Sequence, residues 1–384
     1  MSATVETTRG FPVHPLQSPN RLRLGTFGSN KEGGMALTKA PTRLRAEWAE
    51  TLWAAQTADA LGFEAIVPVS RWKDQAGSNS IFSRVFDTIT WAAGIAASTR
   101  HAVVFSTIDM GLVHPVIAAK QVATIDHISG GRAAANVVAG WNRPEAEMLG
   151  REMLEHDARY DSADEWITIV KELWSAPELA EVDFEGRYYQ MKRGLCEPKP
   201  LQKPYPPIMN AGSSERAHPF IAQHADLAFA PSARLDDLQT ARSMIDVLKS
   251  EAAAVGRQIQ VWTYGYVVSR DTREEAKKYL SWYRDEYGDI ETTDKALQMI
   301  GLNTAALGDA AWSNYREKMT AGGLGLELLG TPDDVVEGLQ AISDVGFDGI
   351  LLAWPSWRDD LPYFGSKILP RLEAAGLREP SDRI

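Results

Sequence analysis

One cysteine, Cys196, stands in a chain of 384 residues. A lone thiol allows no disulfide framework and no cysteine-built metal cluster, and it fits a reducing compartment, so a cytoplasmic protein is expected. Cationic excess is missing too: 40 Lys and Arg against 51 Asp and Glu leave a net charge of −11. That argues against nucleic-acid and anionic-membrane binding, which need a basic face, and leaves room for a local anion site. No run of eighteen apolar residues occurs, so no spanning helix is expected. The opening stretch MSATVETTRGFPVHPLQSPN has neither an apolar core nor a basic start, unlike a signal peptide. The seven histidines show no HExxH-type spacing, so no metal site is expected. GxSxG, a P-loop and a Ser-His-Asp signature are absent, as is a GxGxxG after the first strand.

Short buried strands alternating with amphipathic helices fill the rest. Strand patterns fall at Arg21–Gly28, Phe63–Val69, His101–Ile108, Ala133–Ala139, Pro207–Gly212, Asp226–Pro231, Ile259–Ser269 and Gly349–Trp354. Helical spacing separates them, at Arg43–Leu61, Asp87–Ala97, Pro115–Ile128, Tyr160–Ser175, Ser213–His224, Leu235–Val255 and Thr272–Tyr287. Thr331-Pro332 opens a further helix, and Pro362–Ala375 reads as the last. Eight strands in this alternation predict an α/β TIM (β/α)8 barrel; a doubly wound open sheet is the alternative, weakened by the missing glycine fingerprint. The expected organisation is an arm over residues 1–20 and one barrel domain over 21–384. Insertions are expected at about 177–206, with a hairpin around Glu185-Gly186, and at 288–329, where Ala321-Gly322-Gly323 reads as a hinge or a plain turn.

In such a barrel the chemistry sits after the C-terminal ends of strands. The polar residues at those positions are Ser70 and Arg71, Thr107, Asn136, Glu145, Arg159, Tyr160, Ser213 and Ser214. Asn136 is the sharpest signal: an amide inside an apolar strand must be satisfied, by backbone or by a polar ligand. Gly212-Ser213-Ser214 lies between a strand and a helix start, which suits either a phosphate or an ordinary serine cap. Arg159 and Tyr160 offer a guanidinium and a phenol to the same anion, or else a surface ion pair and a core ring. Twelve tryptophans is a high count, and Trp72, Trp141 and Trp354 are candidates for shaping a pocket. His114 either precedes a helix or lines that pocket. With no acid–base pair and no metal ligands, the pattern points to a cofactor that brings the reactivity.

The blocks ATIDHISGGRAAANVVAGW, LEHDARYDSADEWI and KPYPPIMNAGSSERA resemble the bacterial luciferase-like flavin monooxygenases, over about Leu22 to Leu372. The nearest branch is the one that holds the pyrimidine, dimethylsulfone and alkanesulfonate monooxygenases. The resemblance implies a TIM barrel with insertions, the one at 288–329 corresponding to the mobile lid of the family, and a homodimer or homotetramer. It implies reduced FMN delivered by a separate NAD(P)H-dependent flavin reductase, O2 as co-substrate, and a small organic substrate cleaved at a carbon–heteroatom bond. Carried over residue by residue, it implies FMN contacts at Ser70, Arg71, Asn136, Glu145, Arg159, Tyr160, Ser213 and Ser214. It sets Thr107 opposite Asn136, as the pair that holds oxygen beside the flavin, the arrangement of relatives in which oxygen adds at N5 rather than C4a. One departure is visible. The seventh strand reads VWTYGYVVS, without the basic residues that serve a sulfonate in alkanesulfonate monooxygenases, which weighs against a simple alkanesulfonate. Two other readings remain open from the sequence: an F420-dependent hydride-transfer enzyme on the same barrel, and a non-catalytic flavin-binding protein.

Overall fold

Each short apolar run becomes a strand because its side chains are buried on both faces, as parallel strands between helices require. In the computed structural model, which describes residues 13–73, 80–303 and 307–380, the strands are β1 (Arg23–Phe27), β2 (Ala65–Val67), β3 (Val103–Asp109) and β4 (Ala133–Val138). They continue as β5 (Val182–Glu185), β6 (Gln190–Gly194), β7 (Ile208–Asn210), β8 (Leu227–Phe229), β9 (Gln260–Ser269), β10 (Leu326–Gly330) and β11 (Gly349–Ala353). The main helices are α1 (Trp48–Ala60), α2 (Thr88–Ser98), α3 (Pro115–Ser129), α4 (Arg143–Met148), α5 (His156–Ser175), α6 (Ala217–His224) and α7 (Leu238–Ala254). The remainder are α8 (Arg273–Ser281), α9 (Ile290–Met299), α10 (Asp309–Gly322), α11 (Pro332–Val345), α12 (Trp357–Tyr363) and α13 (Leu369–Ala374). The parallel strands follow the order β9-β11-β1-β2-β3-β4-β7-β8, with β8 pairing back to β9. That is a TIM-type (β/α)8 barrel, and β10 is a ninth parallel strand alongside β9. The eight predicted barrel strands are all present; β10, at the end of the 288–329 insertion, is an addition to them.

Two compact units divide the chain. The first holds residues 88–231 and 243–262 with the arm. Here α3 ends where Gly130 adopts φ 70°, a left-handed value that glycine takes without steric cost. Arg132 follows, 4% exposed, with its guanidinium donating to the carbonyls of Ala96, Thr99, Ala102 and Ser129. This buried cation, fully hydrogen-bonded, fixes the starts of β3 and β4. Helix α5 is longer than expected and begins at His156, so Tyr160 lies one turn inside it. Two indole N–H groups anchor α5, Trp166 to Val113 O at 2.7 Å and Trp174 to Ala119 O at 2.9 Å. The expected hairpin is β5–β6, and its turn is tied to α5: the N–H groups of Arg187, Tyr188 and Tyr189 donate to the Glu165 carboxylate at 2.8, 2.8 and 3.0 Å. Of the arm, residues 1–12 lie outside the described residues. Leu16 is buried and its carbonyl accepts from Gln260 Nε2 at 2.5 Å.

The second unit holds residues 19–87, 232–242 and 263–384. Glu64 and Arg378 form a buried ion pair at 2.8 Å that ties the C-terminal segment to the start of β2. Thr331 and Asp334 make the reciprocal cap that opens α11, as the Thr-Pro signal predicts. The insertion at 288–329 carries α9, α10 and β10, and Leu37 bonds to it twice, through Thr320 O and Asp289 N. Ala321-Gly322-Gly323 ends α10: Gly323 is its left-handed cap, and a Cβ on Gly322 would sit 2.2 Å from the Tyr266 ring. The last helical stretch starts at Trp357, ahead of the expected Pro362, which is accommodated inside α12.

Candidate active site

The site assembles inside the first unit, after the C-terminal ends of β3 and β4. Register places Thr107 directly opposite Asn136. Both are buried, at 6% and 3% exposure, and Asn136 Nδ2 donates to Thr107 Oγ1 at 3.2 Å. The amide is thus half satisfied: its Oδ1 is closed off with no partner. An acceptor left so costs about 1–3 kcal/mol. The Thr107 carbonyl accepts from Thr88 Oγ1 at 2.6 Å, which pins this strand end to α2.

A second polar corner forms between α5 and the loop before α6. The loop is longer than the sequence suggests, since α6 begins at Ala217 and not at Ser213. Ser213 is exposed and Ser214 half-buried, and Ser214 accepts from the Ala217 N–H through Oγ at 3.3 Å and through its carbonyl at 2.8 Å. Tyr160 is buried against Phe220 with ring centres 5.9 Å apart, and its hydroxyl reaches Ser214. Burial pushes the phenol pKa up, and the Ser214 bond and nearby arginines pull it back, so the group stays a neutral donor. Gly212 is required here by close approach: a Cβ would lie 2.4 Å from Tyr160 Oη and 2.5 Å from Ala217 Cβ. The Ser214 hydroxyl and the Tyr160 phenol meet just before the start of α6, an arrangement that suits a phosphate.

On the other edge of α5 lies a cavity of ≈ 430 Å³. Arg159, Ser162 and Ala163 face it, whereas Tyr160 and Asp164 face α6, as helical spacing separates them. Asp109, the turn around Trp141, the segment Arg151–Leu154 and the hairpin residues Tyr188 and Tyr189 complete its wall. Asp109 lies two residues beyond Thr107 on the same strand face. Its Oδ1 accepts from Gly111 N at 2.9 Å, and burial pushes its pKa up to about 6, with Glu145 adding to the rise and Arg159 opposing it. Tyr189 donates to the Met110 carbonyl at 3.2 Å and packs edge-on against His114.

The remaining candidates fall as follows. Glu145 is buried in α4. Arg159 Nη1 donates to the Leu154 carbonyl at 3.1 Å, and its Nε has no partner. His114 precedes α3 and accepts from the Val116 N–H through Nδ1 at 3.3 Å, the helix-capping role among its two readings. Trp141 is 44% exposed at the cavity. Ser70 and Arg71, half-buried, and exposed Trp72 follow β2 in the second unit. Trp354 is a core residue of that unit, 1% exposed and packed against Trp357, Phe63 and Phe364. Sequence reasoning missed Asp109, Arg151, Tyr188 and Tyr189. The alternation after Thr107 signals Asp109; nothing local signals the tyrosines, which arrive through the hairpin. Among the described residues no group of three His, Cys, Asp or Glu side chains could hold a metal ion. No helix there is long and apolar enough to cross a membrane.

Residues 22–349 match the family model described as luciferase-like monooxygenase. The FMNH2-dependent dimethylsulfone monooxygenase of Pseudomonas putida is 29% identical over 345 residues, 89% of this chain and 92% of that one. The pyrimidine monooxygenase RutA of Acinetobacter baylyi is 26% identical over 355 residues, 91% of this chain and 94% of that one. Among solved structures, DmoA from Hyphomicrobium sulfonivorans superposes with a TM-score of 0.83 at 23% identity, over 94% of this chain and 90% of that one.

Proposed function

The chain belongs to the luciferase-like monooxygenase family, and from that premise we propose that it is a two-component enzyme which oxidises a small organic molecule with reduced FMN and O2. The observation that carries the site assignment is the Thr107–Asn136 pair with its unmet buried acceptor. FMN fits the residues present. Ser213, Ser214 and Tyr160 would hold its phosphate in the corner that Gly212 keeps open, and Arg159, next to Tyr160 in α5 and facing the cavity, would add its guanidinium from that side. Buried Asn136, on β4, and buried Glu145, in α4, would meet the rest of the cofactor.

Reduced FMN, when bound, supplies the two electrons and two protons by which one oxygen atom enters the substrate and the other leaves as water. The protein's share is positioning and electrostatics. Thr107 and Asn136 present a fixed hydroxyl and amide at one point, with the Asn136 Nδ2–H already spent on Thr107, so the pair acts as one preorganised unit. Thr88 and the β3–β4 register hold both so that no reorganisation accompanies the reaction. The substrate is a sulfone, sulfonate, N-heterocycle or haloaromatic whose carbon–heteroatom bond breaks after oxygenation. A flavin reductase is the partner that supplies FMNH2.

The test is O2-dependent turnover with FMN, NADH and a flavin reductase over a panel of uracil, dimethylsulfone, an aryl sulfone, a haloaromatic and several sulfonates. Release of sulfite, halide or an opened ring from one class supports the proposal and names the substrate. Binding of F420 in place of FMN would instead make the enzyme a hydride-transfer catalyst. Tight flavin binding with no oxygen consumption coupled to a product on any substrate would favour a carrier.

A further inference from the structure

The loop that carries Ser213 and Ser214 is tied at both ends. At its far end Arg216 donates to Asp161 at 2.8 Å and to Asp164 at 3.1 Å, which fastens the start of α6 to α5. At its near end stands Asn210, the last residue of β7 and 1% exposed. An amide so deeply buried needs a partner on each branch, and Asn210 has both. Its Nδ2 donates to the Val137 carbonyl at 2.7 Å, and its Oδ1 accepts from the Gly212 N–H at 2.9 Å. Val137 lies opposite Asn210 in the register of β4 and β7, and it directly follows Asn136. Gly212 opens the Gly-Ser-Ser run of the phosphate corner. One short side chain therefore spans from the strand end that bears Asn136 to the first N–H of that corner. One partner is an acceptor and the other a donor, so an amide meets both, an ionised carboxylate meets only Gly212, and an alkyl group meets neither.

We propose that Asn210 is a positioning residue for the cofactor: its amide holds the phosphate corner and the Asn136 strand end at one fixed separation, so that a phosphate seated at Ser214 and Tyr160 also fixes where the ring system meets Asn136. The cofactor role rests on the flavin reading above; the tie itself does not. The phosphate groups cannot set this separation alone. Ser214 bonds forward to Ala217, and Tyr160 bonds to Ser214, so both belong to the corner and neither reaches β4. Without Asn210 the loop would have to be ordered at each binding event, and the ring would lose its alignment with the strand.

Riboflavin and FMN differ only in the phosphate, so the pair separates positioning from general support of the fold. Asn210→Leu keeps the size and removes both bonds; Asn210→Ser stays polar but is too short to span both partners. Fluorescence titration of the whole chain is expected to show FMN weakened about tenfold in each variant, with riboflavin held within about twofold. At saturating FMN the visible circular dichroism of the bound flavin is expected to change. In the flavin-free chain, amide exchange at Gly212 is expected to accelerate. Equal loss of both flavins makes the amide a support of the fold only and overturns the proposal. Unchanged FMN affinity, an unchanged flavin spectrum or unchanged exchange at Gly212 overturns it as well. Should Asn210→Leu fail to fold, Asn210→Ser decides by the same readings. An unmodified chain that binds neither flavin, or shows no preference for FMN, strikes the flavin reading and the cofactor role with it, whereas exchange at Gly212 still reports the tie, so the two failures are told apart.

Discussion

Replacing Asn136 with alanine separates a functional amide from a structural one. The substitution deletes the donor to Thr107 Oγ1, a bond whose loss costs about 0.5–1.5 kcal/mol. It also deletes Oδ1, whose burial without a partner costs about 1–3 kcal/mol in the protein as it stands. The two terms oppose each other, and the small void left by the truncation adds a further penalty. The net change in unfolding free energy is expected within about 1 kcal/mol of zero. Catalysis has no such compensation: losing one preorganised hydrogen-bonding group at a reacting centre costs roughly 10²–10³ in kcat. The assay pairs urea unfolding with oxygen uptake under excess FMNH2 and product analysis. Thr107→Val, which keeps the shape and drops the hydroxyl, closes a double-mutant cycle with Asn136→Ala. If the pair acts as one unit, the double variant loses little more activity than either single one. A variant that turns over normally, or one whose activity falls only as far as its stability, refutes the reasoning.

Three further expectations follow from the same geometry. Ser214→Ala and Tyr160→Phe each remove a neutral hydroxyl from the phosphate corner, and each is expected to weaken FMN binding by about tenfold, the effect of a bond to a charged group at the lower end of 1.5–3 kcal/mol; flavin fluorescence titration measures it, and unchanged affinity in both would move the phosphate elsewhere. Asp109, with a pKa raised to about 6 from 3.8, keeps its proton in the folded chain after the unfolded chain has released it. Stability therefore falls as the pH climbs from about 4 to about 6, and the penalty persists above that range. Asp109→Asn is expected to be the more stable form at pH 8, by roughly 3 kcal/mol, with the difference gone below pH 4, as paired urea titrations would reveal; a difference independent of pH contradicts the assignment. Glu165→Ala frees three backbone N–H groups at the hairpin turn, so amide exchange at residues 187–189 is expected to accelerate selectively, whereas uniform protection would mean that the carboxylate does not seat the turn.

The barrel was legible because its strands are written in a compact code. AAANVV on β4 has alanines on a strand buried up to its last residue, as the apolar run suggests, and its one amide, Asn136, is buried with them. Tyr160 and Ser214, far apart along the chain, were brought together from sequence as groups suited to one anion, and they do meet. Trp354 shows the limit: a tryptophan at a strand end looks alike whether it lines a pocket or, as here, fills an aromatic core, since composition carries no direction. The strand β10 was hidden because it sits among helical residues and because a five-residue run, LELLG, fits either period. Tyr188 and Tyr189 were invisible as site residues because their position depends on a carboxylate more than twenty residues away.

That carboxylate seats the turn through main-chain amides and not through the side chains of residues 187–189. The attachment is therefore indifferent to which amino acids occupy those positions, proline excepted. Tyr188 could be exchanged while the turn itself stayed docked, whereas Tyr189 carries a second tie through its hydroxyl to the Met110 carbonyl. The cavity wall thus has a replaceable tip on a fixed mount, and a library randomised at codon 188 should yield mostly folded proteins.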